Sequence, residues 1–171
     1  MLGRHKCFPP LLLQQSESCI YNNKRLLMAH AETTVDRITS ECLAARVRLL
    51  NRQVLRLYDA ALRPLKIKVT QLNVLVVLAR LGPCSPTALT QVLDMEKSTL
   101  SRNVERLRLR GFVAVEAGPS GRTQVVAVTP KGQKLLDAAL PRWEAAQRQT
   151  EQLLGARTME ALRRLPTARW A

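Results

Sequence analysis

Lys97-Ser98-Thr99-Leu100-Ser101-Arg102-Asn103-Val104-Glu105-Arg106-Leu107-Arg108-Leu109-Arg110, closed by Gly111-Phe112, carries two unlike faces at helical spacing. Leu100, Val104 and Leu107 recur at steps of four and three, the pattern of a helix with one side in a core. Ser98, Arg102, Arg106 and Arg110 recur at steps of four and fall nearly opposite. Like charges spaced this way cost an isolated helix about 0.2–0.5 kcal/mol per pair, a penalty that bound phosphates would reverse. The plain alternative is a solvated basic face, so the neighbouring segments decide.

Upstream, Ser85-Pro86 is a helix start, a capping hydroxyl followed by proline at the first helical position. The short helix over 86–93 buries Leu89 with Val92 or Leu93 and ends in the turn Asp94-Met95-Glu96. Downstream, Gly111 stops the quoted helix, and Phe112 is expected to fold back on Leu107. A β-hairpin over 112–117 and 122–128 follows, joined by Gly118-Pro119-Ser120-Gly121. A helix capped by Thr70, with Leu72, Leu75, Val76 and Ala79, precedes the set and stops at Gly82-Pro83. The order helix, short helix, turn, helix, hairpin is a winged helix-turn-helix, mainly α with a small β-hairpin wing.

Two long helices flank this lobe of about 66–129. One runs from Thr33 or Thr34 to Leu62, with an apolar stripe of Ile38, Cys42, Ala45, Leu49, Val54, Leu57 and Ala61, and Pro64 ends it. The other begins at Thr129-Pro130 and runs to about Leu154, where Pro141 is a candidate kink. A last helix covers 158–165. Together they offer more apolar surface than one small winged domain covers, so a homodimer through 34–62 and 130–165 is expected. Residues 1–30 show no sustained period and read as a disordered extension. Met28 stands where the pattern begins and is a candidate translation start.

A helix entering the major groove presents the side chains near its amino end to base edges. Here those are Lys97, Ser98, Thr99, Ser101, Arg102 and Asn103, with Arg106 one turn further on. Arginine grips guanine with two donors, and asparagine pairs adenine in the same way. Arg122, at the tip of the hairpin, is placed to reach a minor groove.

The composition agrees. The 171 residues hold 27 lysines and arginines against 13 acids, a net charge of +14. That excess repels itself on a compact body and favours a polyanionic partner. A membrane partner is not expected, because the longest apolar runs, 74–79 and 11–13, are far too short to span. With no leader pattern, the cytoplasm is the expected compartment. The cysteines at 7, 19, 42 and 84 form no CxxC pair and read as reduced thiols. His5 and His30 lie outside the patterned chain, so neither a metal site nor a cofactor is expected. An enzyme would need a nucleophile with its base, a metal cluster or a phosphate loop. Gly118-Pro119-Ser120-Gly121 lacks the lysine and helix of the last. The six aromatic residues are scattered, which gives RNA no stacking set, although an RNA- or protein-binding winged helix is the competing class.

The run Met95-Glu96-Lys97-Ser98-Thr99-Leu100-Ser101-Arg102-Asn103-Val104, continuing to Leu109-Arg110-Gly111-Phe112, resembles the recognition helix of the MarR family. Leu57-Tyr58-Asp59-Ala60-Ala61-Leu62-Arg63-Pro64-Leu65 is similar to the end of that family's first helix, and Val126-Ala127-Val128-Thr129-Pro130-Lys131-Gly132 to its exit from the wing. The resemblance covers roughly 36–165. It implies a dimer of the first and last helices on a palindromic duplex-DNA operator, and repression relieved by a small aromatic or xenobiotic effector. The family's aspartate two residues before the wing arginine is replaced here by Ser120. Some relatives sense organic peroxides through a cysteine in the first helix. Tyr58 matches a tyrosine of that site, while Cys42 lies two residues out of register, a rotation of about 200° around a helix. Cys42 therefore reads as a core residue, with the sensor as its alternative, and Cys84 as the more exposed thiol.

Overall fold

The computed structural model describes residues 33–118 and 123–165. The expected extension, Met28 and Arg122 lie outside the described residues. The chain divides near residue 50 into two compact units.

In the first, helix α1 covers 33–41, and after a single non-helical residue, Cys42, helix α2 (Leu43–Leu62) begins. The expected single helix is therefore interrupted once. Cys42 N–H still donates to Ile38 O at 2.9 Å, and Arg46 N–H to Cys42 O at 3.2 Å. The thiol accepts from Ala45 N–H at 3.4 Å, a side-chain competitor for an amide of the new helix. The apolar stripe is not a core stripe in the single chain. Ile38 and Leu49 are exposed, Cys42, Ala45, Val54, Leu57 and Ala61 are half-buried, and Leu62 alone in α2 is buried.

The second unit opens with the end of α2 and a 3-10 turn, Arg63–Leu65, carrying Pro64. Lys66 follows in the left-handed region (φ 54°). Helix α3 (Val69–Leu81) is apolar nearly all round and sits in the middle of the core, with Leu72, Val74, Leu75, Val77 and Leu78 buried. Thr70 is not its cap. The cap position is Lys68, two residues earlier, where Asp59 Oδ1 accepts from Val69 N–H at 2.9 Å and Gln71 Oε1 accepts from Lys68 N–H at 3.0 Å. Both satisfy amides that a helix start leaves open.

Helix α4 (Pro86–Leu93) begins as expected, with Ser85 Oγ accepting from Ala88 N–H at 3.2 Å. Helix α5 (Lys97–Leu109) ends at Gly111 (φ 72°), where Phe112 N–H returns to Leu107 O at 2.9 Å and Gly111 N–H to Arg108 O at 2.8 Å. Strands β1 (Val113–Ala117) and β2 (Gln124–Val128) pair antiparallel, from Val113 opposite Val128 to Ala117 opposite Gln124. Cys84 adds a third short rung, its N–H and C=O both bonded to Val126 at 3.1 and 2.9 Å. This corrects the expectation for that thiol: Cys84 is half-buried against the core, and burial pushes its pKa up.

Thr129 caps helix α6 (Pro130–Arg163), accepting from Gly132 N–H at 3.0 Å while its own hydroxyl donates to Gly111 O at 2.7 Å. The backbone leaves helical torsions at Gly155 (φ 73°), not at Pro141, so the expected final helix begins just after Gly155. Leu62, Leu75, Leu78, Leu89, Leu100 and Leu107 are all but inaccessible. Each contributes about 1.5–3 kcal/mol by leaving water.

Candidate nucleic-acid interface

Helix α5 is held from behind. Leu100 and Leu107 are each 1% exposed, with Val104 beside them, against α3 and α4. Its front carries Lys97, Ser98, Thr99, Ser101, Arg102 and Arg106, all exposed. Arg102 Nε donates to Ser98 O at 3.2 Å, which leaves its terminal nitrogens for a partner. No side chain caps the start of α5, so its first amides stay open, as at an anion-binding helix end.

Asn103 is not part of this face. It is 5% exposed, with Nδ2 at 3.7 Å from Met95 Sδ. The reason lies in the helical period: Leu100, Asn103, Val104 and Leu107 are the i, i+3, i+4 and i+7 positions of the buried stripe. The asparagine ties α5 to the preceding turn and cannot pair a base from there. Arg110 is likewise spent on the protein. Its Nη1 and Nη2 donate to Lys66 O and Leu65 O at 2.5 and 3.1 Å, and its guanidinium lies 4.7 Å from the Phe112 ring centre.

Beside the front of α5 a cleft of about 690 Å³ runs along the strands of the hairpin. Ser85, Pro86 and Thr87 form one wall, Lys97, Ser101 and Arg108 another, and Gln124 the third. Thr87 and Gln124 were not expected there. Their nearness follows from the pairing of Cys84 with Val126, a contact 42 residues long in sequence that no local pattern announces. Glu105, the carboxylate in the cleft, is neutralised by Arg108, whose Nε and Nη2 each donate to it at 2.8 Å. That hydrogen bonding holds the Glu105 carboxyl below the usual carboxylate range. The cleft therefore presents Lys97 with little opposing charge.

A second concavity, of about 550 Å³, lies between α3 and α6, lined by Leu72, Val76, Leu136 and Trp143 with Asn73, Arg80 and Asp137 at its polar edge. Tyr58 donates its hydroxyl to Gln147 Oε1 on α6, and burial raises its pKa. No described helix is long and apolar enough to cross a membrane.

Residues 65–122 match the family model described as "MarR family". The multiple antibiotic resistance protein MarR of Salmonella typhimurium is 31% identical over 91 residues, 53% of this chain and 63% of that protein's length. Among solved structures, a probable transcriptional regulator from Pseudomonas aeruginosa superposes with a TM-score of 0.67 at 28% identity, covering 73% of this chain and 94% of that one. BpsR of Bordetella bronchiseptica, whose DNA binding is regulated by 6-hydroxynicotinic acid, gives 0.66 at 24% identity over 72% and 89%. The matched segment begins at Leu65, at the end of the 3-10 turn, and takes in α3, α4, α5 and β1; over that segment the chain is similar to the MarR family, and the helices around it are arranged as in the solved Pseudomonas aeruginosa regulator.

Proposed function

We propose that this chain binds duplex DNA as a homodimer and regulates transcription as a repressor released by a small ligand. The observation that carries the reading is the division of α5, with three apolar side chains locked in the core and six polar or basic ones exposed opposite them. In this reading α5 enters the major groove, with Ser98, Thr99, Ser101 and Arg102 at base edges and Lys97 and Arg106 toward phosphates. Arg122 reaches from the wing into the minor groove. Two protomers would read a palindrome with half-site centres about 10 bp apart.

Exposed Leu140, Trp143, Leu153 and Leu162 on α6 support the dimer, and so, within the first unit, do exposed Ile38, Val47 and Leu49, because large apolar side chains left in water favour association. The cleft under Trp143 suits the effector. Its volume lies within the range of small-molecule sites, about 300–1,000 Å³, and its apolar walls meet one arginine and one carboxylate. Control of a related protein's DNA binding by 6-hydroxynicotinic acid supports a ligand of that size.

The test is selection of genomic fragments by the purified protein, then gel shift of the selected duplex against structured RNA. Enrichment of a palindromic duplex that RNA does not displace supports the proposal. Preferential displacement by RNA would favour the competing RNA-binding winged helix.

A further inference from the structure

The turn between α2 and α3 gathers Arg56, Arg63, Lys66 and Lys68 around a concavity of about 680 Å³. All four are exposed, and none makes an ion pair among the described residues. Asp59 borders the same hollow, but its Oδ1 accepts the Val69 amide. The backbone at the centre is strained, since Lys66 holds a left-handed conformation that side-chain-bearing residues adopt reluctantly. Arg110 keeps it there through the carbonyls of Lys66 and Leu65. A strained turn braced by a neighbouring side chain, with its cations left unpaired, is a feature to explain functionally.

Its position suggests the function. Arg110 continues the Arg102–Arg106 ladder, and from Arg102 to Arg110 the helix rises about 12 Å. Through Arg110 the turn is tied to the carboxy end of the helix whose exposed front carries Arg102 and Arg106, so with that front in a groove the turn would lie beside the sugar-phosphate backbone. We propose that Arg56, Arg63, Lys66 and Lys68 form a phosphate-binding patch that grips the DNA backbone beside the groove read by α5. The proposal rests on the DNA-binding reading above. The same chemistry would also suit a free phosphate ligand.

The double variant Lys66→Gly/Lys68→Ala tests it, because glycine accepts the left-handed backbone and the fold is kept. Lys134→Ala/Arg142→Ala, exposed on α6, removes equal charge elsewhere. Affinity for a random-sequence duplex of about four helical turns is followed across a salt series, with thermal unfolding alongside. The patch variant should melt no lower than the parent, and its salt slope should shrink by about one unit for each phosphate that the patch no longer neutralises. The control should keep the parent's slope. Equal slopes in the two variants overturn the proposal. Saturable pyrophosphate binding that disappears in the patch variant, with an unchanged DNA slope, also overturns it and assigns the site to a free phosphate ligand. A parent protein that does not bind the duplex at all sinks the DNA-binding reading, and the proposal falls with it.

Discussion

Gly132, in the first turn of α6, lies directly against the carbonyl of Phe112, so that a Cβ at 132 would collide with that oxygen and come within 2.8 Å of Val128 Cγ2. The contact joins the end of α5, the last residue of the wing and the start of α6, helped by Thr129 N–H donating to Phe112 O at 3.0 Å. Neither neighbour is a flexible side-chain end that can swing away. Gly132→Ala should therefore destabilise the protein by about 1–3 kcal/mol, as overpacking does. Thermal unfolding would register this as a midpoint several degrees lower. An unchanged midpoint would mean that the three elements are not packed as described.

The start of α3 makes a second prediction. Asp59→Ala removes the carboxylate that accepts the Val69 amide and should cost about 1 kcal/mol, the usual cost of removing a cap. Thr70→Ala should cost much less, because that hydroxyl caps nothing. Urea unfolding of the two variants distinguishes them, and the reverse order would restore Thr70 as the cap.

Tyr58 ties pH to stability. Burial is the largest cause of its raised pKa, followed by the nearby Thr150 hydroxyl, which acts in the opposite sense, and the reinforcing charge of Glu151. The folded state thus holds the phenolic proton more tightly than the unfolded chain, whose tyrosine titrates near 10. The contribution is fully present below about pH 10 and fades as pH rises through the higher folded value. Tyr58→Phe should lack this alkaline component. Unfolding midpoints of parent and variant, compared at neutral pH and above about pH 10, should converge in alkali. A constant gap would contradict it.

Cys42 offers a redox test. As a helix-interrupting thiol engaged with the Ala45 amide, it is read as structural. Cys42→Ala should lose some stability and leave any peroxide response of DNA binding unchanged. Peroxide-driven release of DNA that disappears in this variant would establish the sensor instead.

Much of this was legible in local sequence. Ser85-Pro86, Thr129-Pro130 and Gly111 mark helix ends through capping hydroxyls, proline and positive φ, and each stands where the structure puts it. Asn103 was legible too, since it falls on the Leu100-Val104-Leu107 stripe, but its donor chemistry outweighed its position. What local pattern did not contain was long-range. Asp59 capping α3, Cys84 pairing with Val126, and Arg110 turning back to the 65–66 carbonyls each join segments at least ten residues apart.

If the exposed front of α5 reads DNA while its buried side only supports it, Arg102→Ala and Asn103→Ala must behave differently. Both are measured as affinity for the selected site and for random duplex over a salt series, with Arg122→Ala as the wing variant. Arg102→Ala should lose about 1–3 kcal/mol on the selected site, relax selection at one or two positions and leave thermal stability intact. Asn103→Ala should lower stability and leave base preference unchanged. Arg122→Ala should weaken both duplexes and reduce the salt slope by about one unit for each phosphate left without its arginine. If Arg102→Ala and Arg122→Ala bind like the parent, or if Asn103→Ala alone changes base preference, the front of α5 is not the reading surface.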